Sequence, residues 1–211
     1  MPDLQTLIGF TLAALAMNLS PGPSNLYVMS RSIAQGAAAG AVAAGGLAAG
    51  SLVHVLAAAF GVSTIFRHAP DAFAVLKFAG AAYLIYLGIR HLLAMRRPVD
   101  AAPVVAARTR RRIFRESVTV EVLNPKTALF FLALLPQFVD PAAGPVAPQM
   151  LVLGLIVTLS AVPCDLAVAF AAGRAARLLS ASALFQRLQQ AISGTILIGL
   201  GVFVAVARRQ A

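Results

Sequence analysis

Six runs of mainly apolar residues constrain this chain more than any other feature. They fall at roughly 4–30, 39–66, 72–95, 117–139, 147–173 and 188–207. Each is long enough to cross a bilayer's hydrocarbon as an α-helix, which takes about 20 residues. Of the 211 residues, 60% are hydrophobic and 11% charged, whereas an ordinary soluble domain has about 25% charged. That little polar surface cannot cover so large an apolar content, so part of it must face lipid. The alternating ten-residue units of a membrane barrel are absent from the sequence. The expected fold is all-α: one polytopic membrane domain over residues 1–211, with six transmembrane helices.

Charge sets the expected orientation. Arg96, Arg97, Arg108, Arg110, Arg111, Arg112 and Arg115 crowd one polar stretch, which makes a loop at about 96–116 cytoplasmic by the positive-inside rule. Arg31, Arg174, Arg177 and Arg187 fall on the same side, while Arg67, Asp71, Asp140 and both termini fall on the other. Arg208 and Arg209 run against the rule, and the larger basic loop outweighs them. The net charge of +10 does not imply nucleic acid, because no interleaved aromatics or recognition helix accompany the arginines. The loop reads first as a topology signal, which could also meet anionic lipid headgroups. The first ten residues lack a basic region and carry Asp3, so the first apolar run is expected to stay in the mature protein. The single cysteine, Cys164, excludes an internal disulfide, a CxxC pair or a thiolate metal cluster. Neither a metal nor a cofactor is expected.

Two of the six runs are interrupted. In LSPGPSNLYV (19–28) prolines 21 and 23 flank Gly22, and in LNPKTALFFL (123–132) Pro125 follows Asn124. Proline has no N–H, so Pro21 orphans the carbonyl of Met17 and Pro23 that of Leu19. In hydrocarbon each orphan costs several kcal/mol unless protein or water satisfies it. Past each break a new half-helix can begin, leaving open the N–H groups of Ser24, Asn25 and Leu26 in one and of Lys126, Thr127 and Ala128 in the other. The two stretches align, with Ser20 on Asn124 and Pro21 on Pro125, and later LIYLGI (84–89) lies on LIGLGV (197–202). Three runs precede the basic loop and three follow it. The halves, about 1–95 and 117–211, are therefore expected to be inverted repeats with helices one and four broken near mid-membrane. Two half-helix N-termini then face a common centre suited to a carboxylate. The freed carbonyls before each break suit an ammonium, and together they suggest a zwitterion. The plainer reading is a pair of proline kinks repaired by neighbouring hydroxyls.

Lys126 lies about 14 Å into its run by helical rise. It is expected to pair with an acid or a substrate carboxylate, and to approach Asp165 directly or through water. Pro163 could loosen the helix that carries Asp165. The expected transport site comprises Ser20, Pro21, Gly22, Pro23, Ser24, Asn25, Asn124, Pro125, Lys126, Thr127 and Asp165. His54 and Glu121 are coupling candidates; packing suffices to explain His54, and a headgroup-level position equally suits Glu121. Lys77 is close enough to a membrane surface to snorkel. Gly36, Gly40, Gly46 and Gly50 have the spacing of close helix contacts and are expected to brace the first span.

LSPGPSNLYVMSRSIAQGAAAG, LKFAGAAYLIYLGIR and LNPKTALFFLALLPQFVDP together resemble the LysE/RhtB family of bacterial amino-acid exporters. The likeness covers nearly the whole chain. It implies an inner-membrane carrier, not an enzyme, that expels amino acids or close derivatives on the proton gradient. Its Pro-Gly-Pro motif falls on Pro21–Pro23 and its Asn-Pro-Lys motif on Asn124–Lys126. Relatives often have Asn at position 20 and an acid at position 51, where this chain has Ser20 and Ser51. That departure shifts weight to Asp165. The few acids favour neutral over basic substrates. The expected partners are the amino acid and the lipid bilayer, and a homo-oligomer is compatible with the sequence. The alternatives are a thiol or electron-transfer protein, which Cys164 alone serves poorly, and a carrier of inorganic cations, which would need more carboxylates.

Overall fold

The computed structural model describes residues 2–95, 106–179 and 183–207, and the regular elements among them are all helices. Helices α1 (Leu4–Leu19) and α2 (Pro23–Gln35) meet at 49°. α3 (Ala37–Leu56) runs through a π-helical stretch, Ala57–Val62, into α4 (Ser63–His68), and α5 covers Pro70–Ala94. α6 (Arg110–Val122) and α7 (Pro125–Leu129) form a second bent pair. Irregular turns extend its outer arm to Phe138, and the bend is 44°. α8 (Val146–Leu179) and α9 (Ala183–Val206) follow. Four helices are long and apolar enough to cross a membrane, and counting each bent pair as one span gives the expected six.

The fourth span starts earlier than residue 117. Arg110–Glu116, expected in the loop, form the first turns of α6, and the Thr109 hydroxyl caps them by accepting from the Arg112 N–H at 3.3 Å. The apolar run began too late to reveal this, because only one narrow stripe of α6 is buried: Ile113, Ser117 and Glu121. Gln35 exchanges two hydrogen bonds with the Arg108 backbone, both 2.8 Å, and so holds the chain before α6 against α2. Arg96 and Arg97 lie outside the described residues.

The glycine-rich stretch does hold helices together, but not all as expected. A Cβ at Gly40 would strike the Ser32 hydroxyl of α2 at 1.9 Å. Gly46 and Gly50 face α6 instead of the first span: added Cβ atoms would lie 2.5 Å from the Phe114 carbonyl and 2.9 Å from that of Val118. A Cβ at Gly36 would meet nothing within 4 Å. Gly36 adopts φ +85° between α2 and α3, a left-handed conformation in which glycine avoids the Cβ clash. Pro163 does not loosen α8, which continues through it. Its missing N–H removes the helical donor of the Leu159 carbonyl.

α5 packs along α9. A Cβ at Gly88 would meet Ile198 Cγ1 at 2.6 Å and the Gly194 carbonyl at 2.7 Å; one at Gly201 would meet Ile85 Cγ1 at 2.7 Å and the Ala81 carbonyl at 2.8 Å. Laying LIYLGI on LIGLGV turns either set into the other. The sequence sums of these contacts stay nearly constant, so the two helices run antiparallel.

Two apolar clusters bracket the molecule's polar middle. Met17, Val55, Phe130 and Val157 belong to the larger, which also contains Phe10, Phe131, Leu134 and Met150. Val28, Leu47, Ile113 and Ala169 belong to the smaller. On each of the four chain stretches involved, the buried polar residues lie between one cluster and the other: Asn18–Ser24, Ser51, Ser117–Thr127 and Thr158–Asp165.

Candidate functional site

Break one leaves the Met17 carbonyl without a helical donor, and two groups take it. The Ser20 N–H turns back onto Ala16 and Met17 at 3.0 and 3.1 Å. The ammonium of Lys126, from the other break, donates to Met17 O at 3.1 Å and to Ser20 O at 2.6 Å. Beyond the break, Pro23 sits at the first helical position and the first intrahelical bond runs from the Leu26 N–H to the Gly22 carbonyl. Leu26 is therefore satisfied, contrary to expectation. No side chain caps the amides of Ser24 and Asn25. Ser193 of α9 donates to the Pro21 carbonyl at 3.1 Å and ties the break to the last helix.

Break two closes on itself. The Asn124 N–H and His54 Nε2 both lie 3.0 Å from the Glu121 carbonyl, which Pro125 orphans. The Asn124 side chain accepts from the Lys126 N–H at 3.0 Å, and the Asn124 carbonyl accepts from the Ala128 N–H at 3.0 Å. Of the three amides expected to be open, two are thus filled by Asn124, because an Asn N-cap folds back on the turn it starts.

Glu121 joins the breaks. It is 7% exposed and packed between the two. One carboxylate oxygen accepts from the Ser24 hydroxyl of α2, and the other accepts from Thr127 Oγ1 of α7 at 2.9 Å. Asn124 Nδ2 donates to the Ser24 hydroxyl at 2.8 Å and completes the chain. Lys126 and Asp165 share one cavity without a direct ion pair: the ion pairs among the described residues are all made by Glu116. The Lys126 ammonium is spent on carbonyls that only the folded break places within its reach. Asp165 is buried, and its carboxylate accepts from Asn25 Nδ2 at 3.4 Å, a long contact that leaves acceptor capacity to spare.

Ser24, Asn25, Glu121, Asn124, Lys126, Thr127 and Asp165 line one cavity of about 30 Å³. Ser20, Pro21, Gly22, Pro23, Pro125 and His54 are not part of its lining. The first five shape the breaks, and His54 stacks on Phe131 with ring centroids 5.7 Å apart. Gly22 has a particular job, since a Cβ there would stand 3.1 Å from Lys126 Nζ and 3.2 Å from its Cε. Lys77, left out of the site, donates to the Ala207 carbonyl at the end of α9.

Sequence reasoning missed Asn18, Ala161 and Val162 in this lining. Asn18 Nδ2 donates to the Val157 carbonyl at 3.2 Å and to the Ser160 hydroxyl at 3.0 Å. An amide one turn before a membrane break was the signal available. Ser51 lines the cavity too, its hydroxyl 2.8 Å from that of Thr158. Glu116 was also missed, although it stands directly after Arg115. It binds Arg31 at 3.1 Å, Arg112 at 2.8 Å and the Tyr27 hydroxyl at 2.9 Å, beside an open groove of about 860 Å³.

Two broken spans whose polar ends share a buried cavity define a polytopic carrier-type membrane protein. The LysE type translocator model matches residues 15–208, and the chain belongs to that family. A homoserine/homoserine lactone efflux protein of Salmonella typhi is 34% identical over 146 residues, 69% of this chain and 70% of that one. A leucine efflux protein of Klebsiella pneumoniae is 30% identical over 131 residues, 62% of each chain. An uncharacterized membrane protein of Vibrio cholerae is 29% identical over 212 residues, 98% of this chain and 99% of its own. No solved structure matches.

Proposed function

We propose that this protein is a secondary transporter that exports neutral amino acids, or close derivatives, across the bacterial inner membrane on the proton gradient. The observation that carries the reading is the buried Lys126 ammonium set into the opposite break, in a cavity that also holds Asp165 and Glu121. Charged groups at such depth are costly and mark solute pathways. The relatives named for homoserine and leucine efflux support an amino-acid cargo with an uncharged side chain. So does the acid inventory. Both Glu121 oxygens are committed to hydroxyls and Ser51 to Thr158, so a cationic side chain would find only Asp165. No catalytic step is assigned to any residue.

The cavity has room for about one or two waters, so an amino acid must enter by parting its walls. We place the basic segment in the cytoplasm and both termini in the periplasm, on the positive-inside rule. The reciprocal contacts of Gly88 and Gly201, and the matched bonds from Ser20 to Met17 and from Asn124 to Glu121, support two halves related by inversion. Efflux of radiolabelled amino acids from loaded vesicles tests the reading. Wild type should empty them faster than Lys126→Ala, and equal rates would end the assignment. Ser51→Asp should widen the cargo toward basic amino acids.

A further inference from the structure

Lys126 presents the same chemical group as the amino end of a zwitterion. Its ammonium has three donors; two are fixed on the Met17 and Ser20 carbonyls at 3.1 and 2.6 Å. Those acceptors exist because of the break. Pro21 takes away the helical donor of Met17, and the chain leaves helical geometry at Ser20, where ψ is 116°. Gly22 keeps the seat open, since its missing Cβ is what admits Lys126 Nζ and Cε. The Ser20 hydroxyl is fully buried and has no hydrogen-bond partner among the described residues, so the seat's wall holds an unspent polar atom.

We propose that the Met17 and Ser20 carbonyls form an alkylammonium-binding seat, and that Lys126 is a tethered occupant which an incoming ammonium displaces. This rests on reading the cavity as an amino-acid site. The displaced lysine has somewhere to go: it already lines the cavity with Asp165, whose carboxylate accepts, among the described residues, the long 3.4 Å contact from Asn25. The arriving ammonium thus replaces one cation by another at the carbonyls, while the freed one moves to the carboxylate. The arriving ammonium adds one buried cation beside Asp165 and Glu121, and a cargo that brings its own carboxylate offsets it, since the freed lysine can then meet that group. The empty seat is not exposed to stray cations in the meantime. Gly22 is accordingly a positioning residue, acting through Lys126.

Propylammonium chloride is the probe, because it carries the ammonium and nothing else of an amino acid. In purified, folded protein, Lys126→Met should be stabilised saturably in thermal unfolding. Its apparent affinity should be at least about tenfold tighter than in wild type, as expected if lysine vacates the seat about one-tenth of the time or less. Lys126→Arg, which restores a cation, should behave like wild type. Lys126→Leu stands in should the methionine variant fail to fold. A second measurement needs no change at this position. The chain has two lysines, Lys77 and Lys126, so ¹⁵Nζ-lysine labelling gives two assignable signals, and high propylammonium should move that of Lys126 while Lys77 stays. Equal propylammonium affinity in wild type and Lys126→Met, or a Lys126 signal that ignores the probe, overturns the seat. Seating of propylammonium with no amino-acid efflux keeps the seat and removes the export reading. Efflux with no seating does the reverse.

Discussion

The two breaks are built from the same loss, a proline that strips a carbonyl of its donor, and in each the N–H three residues on folds back onto that carbonyl, yet the rest of the repair differs. Break two adds neutral groups: Asn124 caps the new turn with its own side chain, and His54 of α3 covers the Glu121 carbonyl. Break one begins its new helix at Gly22 with no side-chain cap, and its carbonyls wait for a cation supplied from another helix. A break capped by its own side chain is scaffold. One whose carbonyls hold another helix's cation can exchange that cation.

Variants that separate these roles sharpen the contrast. The largest effect is expected from Lys126→Ala, which removes two charge-assisted bonds, each worth about 1.5–3 kcal/mol; vesicle efflux should fall to background. Glu121→Gln keeps the shape but removes the charge that accepts from Ser24 and Thr127. Efflux should drop about tenfold, the equivalent of about 1.4 kcal/mol. Gly22→Ala should cost efflux severalfold with little change in unfolding temperature, since its methyl pushes on Lys126 and not on the fold. A normal rate in that variant would make break one a mere kink. Asn124→Ala should show the converse profile, with stability lowered by about 1 kcal/mol for the lost cap, read as a lower unfolding temperature in detergent. The smallest effects belong to His54→Gln, which keeps a donor to Glu121, and to Cys164→Ala. An unchanged pH profile for the first and an unchanged rate for the second are expected, and a shifted profile for His54→Gln would restore it as a coupling group.

The breaks were legible because proline inside a membrane-grade run frees a carbonyl that something must satisfy, and Asn before it is a helix-start signal. The depth of Glu121 was not. It follows from α6 starting at Arg110, inside a stretch whose charge reads as loop, and from Gly46 and Gly50 drawing α3 onto its narrow buried stripe. Lys126 lines the cavity with Asp165, but its ammonium donates to carbonyls and forms no direct ion pair with that acid. A lone sequence shows that Asp165 is a carboxylate of opposite charge, but not that two carbonyls from a helix 109 and 106 residues earlier lie closer. Ser51 stood out only against the family pattern; its pairing with Thr158 depends on how α3 meets α8.

The fit of α3 against α6 has a mechanical consequence. At Gly46 and Gly50 the neighbouring atoms include backbone oxygens, 2.5 and 2.9 Å from where a methyl would sit, and backbone cannot swing aside as a side chain can. These two rods are welded. Across the cavity, α8 meets α2 through Asn25 and Asp165 at a stretched 3.4 Å, a joint that yields. Room for cargo is expected where the joint is loosest, between α2 and α8, and spin-label distances should stay fixed between α3 and α6 while that from α2 to α8 lengthens as solute loads.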